Sequence, residues 1–94
     1  MNKIEIYKKA IATFGYQNQE DVLIEECSEL IQACIKRRRT GKTKNLIEEL
    51  VDTEIMIEQI KYYYGGMGRS REMSDMKEFK LERLAERIQR KVNL

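Results

Sequence analysis

The chain has 94 residues, 36% of them charged, with a net charge of +2, two cysteines and no histidine, proline or tryptophan. That length fits one domain. Near-balanced charge argues against a dedicated polyanion binder, and the missing histidine excludes Ser-His-Asp and Cys-His catalysis, His-containing zinc sites and the Glu-x-x-His arrangement of di-iron bundles.

Without proline and rich in Ile, Leu, Glu, Lys and Arg, the composition predicts an all-α chain. A first helix is expected over residues 2–14, with Ile4, Tyr7, Ala10, Ile11 and Phe14 on one side. Gly15 is its stop, residues 16–18 are a link, and Asn18 caps the second helix, which runs to about Arg39. Leu23, Cys27, Leu30 and Cys34 form an apolar stripe along it. Cys27 and Cys34 lie too far apart along the axis for a disulfide, roughly 10 Å at 1.5 Å per residue, and are read as buried thiols of a reducing compartment.

The second helix ends in Lys36-Arg37-Arg38-Arg39, followed by Thr40-Gly41-Lys42-Thr43-Lys44. Bases in a last turn suit the helix dipole, so a solvated terminus competes with a phosphate-contacting surface. Gly41-Lys42-Thr43 is not a P-loop, because Lys36 stands where the first glycine belongs and no strand precedes it. Thr43 or Asn45 caps a third helix extending to about Tyr64. Leu46, Ile47, Leu50, Val51, Ile55, Met56, Ile57 and Ile60 go most of the way round it, which predicts the most buried helix of the domain. Residues 65–68 break the chain and residues 69–73 form a mobile loop. Ser74 caps a last helix with an apolar stripe at Leu81, Leu84, Ala85, Ile88 and Val92. Lys80 and Arg83 lie off that stripe and stand as candidate phosphate ligands.

Two acidic stretches, 23 residues apart, look like copies of each other: Leu23-Ile24-Glu25-Glu26-Cys27-Ser28-Glu29 and Leu46-Ile47-Glu48-Glu49-Leu50-Val51-Asp52. Glu26 with Glu29, and Glu49 with Asp52, share helix faces at a spacing of three. Both pairs intrude on apolar sectors. A lone pair of this kind is ordinarily a solvated acidic face. Four carboxylates in apolar sectors need compensation by protons, bases or a metal, and a hard cation, Mg²⁺ or alternatively Mn²⁺, suits carboxylate oxygens best. A helical hairpin would point both motifs into one cavity. The apolar surface left over predicts self-association, so the fold expected is a four-helix-type bundle of antiparallel helices completed by oligomerisation. No apolar run is long enough to span a membrane and no signal region opens the chain, which predicts a soluble cytoplasmic protein without membrane contact.

Glu25-Glu26-x-x-Glu29 followed by Glu49-x-x-Asp52 resembles the EExxE and ExxD signature of MazG-like nucleoside triphosphate pyrophosphohydrolases, over residues 17–64. That resemblance implies Mg²⁺-dependent hydrolysis of a nucleoside triphosphate to the monophosphate and pyrophosphate. Glu26, Glu29, Glu49 and Asp52 would be metal ligands, in a homodimer or homotetramer. Glu25 or Glu48 is the expected proton acceptor, and Lys80 and Arg83 the expected phosphate contacts. The competing reading is a non-enzymatic helical module that binds nucleotide or nucleic acid, a partner the acids in apolar sectors argue against.

Overall fold

The computed structural model describes residues 1–93, and among them every element is helical. Helix α1 spans Lys3–Phe14, α2 Tyr16–Thr40, α3 Lys44–Tyr64 and α4 Ser70–Val92, with a π-helical turn at Gly65–Arg69 between the last two. The chain divides into two compact units, Met1–Tyr63 and Tyr64–Leu94.

Within the first unit, Asn2 caps α1 through its side-chain oxygen, which accepts from the Glu5 amide at 2.9 Å. Gly15, at φ 88°, closes that helix and opens α2 at once. The expected link at residues 16–18 is therefore already helical, and Asn18 is no cap. Its amide donates to the Phe14 carbonyl at 2.7 Å, serving the end of α1 instead. Gly41, at φ 76°, is the left-handed C-cap of α2 and donates its amide to the Arg37 carbonyl. A loop of three residues then leads into α3.

The helices α2 and α3 run antiparallel. Tyr16 stacks on Tyr63 at 4.2 Å, Gln19 meets Gln59, and Thr53 meets Glu26, so partner numbers fall on one helix as they rise on the other. On α2 the residues facing the seam are Gln19, Glu26 and Ala33, each seven after the last, and Gln19 and Ala33 are buried. Thr53, Met56 and Gln59 are the buried residues of α3. Helix α1 is tied to α3 by Tyr7, which is buried and donates its hydroxyl to Glu58 at 2.5 Å, while Lys3 pairs with the same carboxylate at 3.3 Å.

Several expectations are overturned by this register. Cys27 and Cys34 are exposed, because the face that meets α3 is the one carrying Gln19, Glu26 and Ala33. Helix α3 does hold more buried residues than any other helix, but Ile47, Leu50, Val51, Ile55 and Ile57 are exposed, so its apolar positions are not covered all the way round as expected.

In the second unit, the chain breaks at the glycines as expected, in a kink with non-helical backbone at Gly68, but the loop expected at residues 69–73 is helical from Ser70. Gly68, at φ 82°, takes up the turn, and Arg69 pairs with Glu72 at 2.9 Å just beyond it. Ser74 consequently lies inside α4 rather than at its cap. The stripe Leu81, Leu84, Ala85, Ile88 and Val92 is exposed throughout.

Candidate metal centre

The acidic motifs meet in the middle of the α2–α3 seam. Glu26 projects from α2, Glu49 and Asp52 from α3, and one carboxylate oxygen from each lies within 4.8 Å of the others. Spacing produces this convergence. Glu49 and Asp52 share one face of α3, and Thr53 beside them sets the register by donating its hydroxyl to the Glu26 carbonyl at 3.4 Å.

All three acids are half-buried. Oε2 of Glu26 and Oε2 of Glu49 are each shielded from water with no hydrogen-bond partner. Buried polar atoms ordinarily find partners, and a carboxylate oxygen without one is costly. Burial first, then the neighbouring charges of Glu29, Asp52 and Glu49, push the Glu26 carboxyl from the usual 4.5 to about 7. Burial and the charge of Glu29 also raise Glu49, against a hydrogen bond from Glu26 that lowers it. Folding therefore leaves the pair short of positive charge. One proton between the two carboxyls relieves part of that shortage.

A second compensation is a cation. The donors are hard oxygens, three carboxylates from two helices, and two of their oxygens lack any other partner. Mg²⁺ takes a few carboxylates and keeps several waters, so a set of this size and chemistry fits it, as it fits Mn²⁺.

The other sequence-derived residues fall into three positions. Glu29 lies one turn beyond Glu26, half-buried, and its charge acts on both Glu26 and Glu49, although it stands outside the group of three. Glu25 and Glu48 neighbour Glu26 and Glu49 in sequence and are exposed. Lys80 and Arg83 lie exposed on α4, in the second unit, where the Arg83 guanidinium sits 5.9 Å above the Phe79 ring.

Sequence reasoning missed the amide pair that continues the seam. The Gln19 amide donates to Gln59 at 2.6 Å, both side chains are buried, and Gln59 also approaches the Met56 sulfur. Its signal was present, because Gln19 precedes Glu26 by seven and Gln59 follows Asp52 by seven. Two heptad steps on antiparallel helices place the amides two turns from the acids. No protein-family model, curated protein or solved structure matches the chain.

Proposed function

We propose that the chain is a Mg²⁺-dependent nucleoside triphosphate pyrophosphohydrolase of the MazG-like kind, working as a homodimer or homotetramer in which helices of different copies complete a four-helix-type bundle. The observation that carries this reading is the pair of shielded, unpartnered oxygens on Glu26 and Glu49, with Asp52 within 4.8 Å. The spacing of Glu25-Glu26-x-x-Glu29 and Glu49-x-x-Asp52, which resembles that family's signature, supports it independently.

When bound, a divalent cation supplies positive charge to the triphosphate and lowers the pKa of a bound water. Glu26, Glu49 and Asp52 hold it, with Glu29 on the same face of α2 to complete or tune the set. Glu25 or Glu48, both exposed, would accept the proton of the attacking water, whose oxygen bonds to the α-phosphorus as the bond to pyrophosphate breaks. Neither base nor sugar is specified by these residues.

Self-association is supported by the outer faces of α2 and α3, where Ile24, Ile31, Leu50 and Val51 are each about half exposed or more. The protein as proposed acts in the cytoplasm, and no described helix is long and apolar enough to cross a membrane.

A second reading takes the raised Glu26 carboxyl at its simplest: a proton shared with Glu49 in a helical binding module that catalyses nothing. A panel of nucleoside and deoxynucleoside triphosphates, incubated with Mg²⁺ and assayed for pyrophosphate, separates the two. The enzyme reading expects release from at least one nucleotide and a loss of at least about 100-fold in Glu49→Ala, the scale of removing a group that stabilises the transition state. No release from any of them, together with no thermal stabilisation by Mg²⁺, leaves the shared proton as the better account.

A further inference from the structure

The turn between α2 and α3 carries six bases in nine residues, Lys36, Arg37, Arg38, Arg39, Lys42 and Lys44, with no acid among them. Of the 18 Lys and Arg in the chain, 12 remain elsewhere against 16 Asp and Glu, so all other segments together are net −4. Residues 1–63 hold four other bases against 11 acids, so the run is a basic tip on an otherwise acidic unit, while residues 64–94 carry eight bases against five acids.

Helix electrostatics explain only part of this run. Arg37, Arg38 and Arg39 occupy the last turn of α2, where the dipole favours cations. Lys44 opens α3, where the dipole disfavours them, and the first turn of α3 holds no acid. All nine residues are exposed, and the ion pairs among the described residues, Lys3–Glu58, Arg69–Glu72 and Arg71–Asp75, involve none of the six. The turn is nonetheless ordered. Gly41 is in the left-handed conformation, and the Thr40 hydroxyl donates to the Lys36 carbonyl at 2.9 Å and accepts from the Lys42 amide at 3.2 Å. Like charges are crowded onto a fixed turn without an internal counter-charge.

We infer that this tip is a docking surface for the phosphodiester backbone of double-stranded nucleic acid, bound without regard to sequence. Three arginines suit phosphate through paired N–H donors. The run contains no aromatic residue on which an unpaired base would stack, which disfavours single strands, and no apolar residue to enter a lipid interface, which disfavours membranes. A duplex offers a phosphate about every 1.7 Å of axis, the densest linear anion of the three. The 11 acids of residues 1–63 repel that anion, so within this unit the tip leads the encounter. None of this depends on the metal-site reading.

Fluorescence anisotropy of the full chain with short DNA and RNA duplexes of arbitrary sequence, across a KCl series, tests the inference. Binding to either duplex is expected to weaken with a log–log slope between about −3 and −5, from about −0.9 per phosphate contact. Replacing Arg37, Arg38 and Arg39 together by Gln reduces that slope by about 2 to 3 on the same rule. Lys8→Gln with Lys9→Gln, exposed on α1, leaves it unchanged, and so does Glu49→Ala, which reports on the metal site alone. The inference is overturned if neither duplex binds at low salt, if the triple variant keeps the parental slope while circular dichroism shows it folded, or if phosphatidylserine vesicles bind the tip more tightly than a duplex does.

Discussion

The seam between α2 and α3 and the outer faces of the same two helices reverse the usual arrangement of a protein interior. Along the seam lie Gln19, Gln59 and Thr53, buried together with the apolar Ala33 and Met56, and Glu26, Glu49 and Asp52 are half-buried among them. On the outside lie Ile24, Ile31, Ile35, Ile47, Leu50 and Val51, all exposed. Apolar burial is the main favourable term in folding, and this hairpin places most of its apolar surface where a single chain cannot bury it. The difference assigns separate tasks to the two regions. Polar groups in the seam hold geometry and charge, and in the assembly proposed above the outer faces would supply the free energy of association.

Breaking the outer region should have the largest effect. Leu50→Asp together with Val51→Asp puts two charges on a face expected to be covered in the assembly, each costing several kcal/mol if buried unpaired. Light scattering is expected to give a dimer or tetramer for the parent and the 11.2 kDa chain for the variant, with a lower and less cooperative melt. A parent that runs as the single chain at all concentrations removes the assembly half of the comparison and leaves the seam without its source of stability.

How much of this was legible beforehand follows from the same contrast. The meeting of the two motifs was readable, because i,i+3 spacing on two helices joined by a short turn constrains the acids; of the four expected together, Glu26, Glu49 and Asp52 converge and Glu29 stands outside that group. The faces were not. Reading Leu23, Cys27, Leu30 and Cys34 as one buried stripe set the face slightly off: Leu23 and Leu30 are half-buried beside Gln19, Glu26 and Ala33, and Cys27 and Cys34 are exposed. Hydrophobic periodicity identifies a face that is to be buried, not which neighbour covers it. The glycines were legible as a break, and Gly68 with its positive φ makes one; the loop expected after it was not borne out, because helical structure resumes at Ser70.

Within the seam, the amide pair permits a sharper cut. Gln59→Leu leaves the buried Gln19 amide without its acceptor, at a cost of about 1–3 kcal/mol. Gln19→Leu with Gln59→Leu restores a matched pair and is expected to recover most of that loss, measured by urea unfolding at fixed protein concentration. If the double variant is as destabilised as the sum of the singles, the amides act separately, and the seam is not one hydrogen-bonded unit.

The smallest effect, and the most diagnostic of the seam's charge, is its response to pH. Glu26 titrates near 7 in the folded chain and near 4.5 when exposed, so between about these values folding takes up a proton. Stability without divalent cation is therefore greatest below the lower value, falls as pH rises through the window and levels off above about 7. Glu49, also raised, adds to the same direction of change. A cation bound by these carboxylates replaces the proton, so Mg²⁺ is expected to flatten the fall and to bind more tightly as pH rises. Glu26→Gln keeps the shape, removes the titration and flattens the profile without metal. Melting temperatures across the window, in chelator and in millimolar Mg²⁺, make the measurement. If stability in chelator rises through the window instead, Glu26 is ionised and paired in the fold, and the shielded oxygens on which the metal site rests are already satisfied.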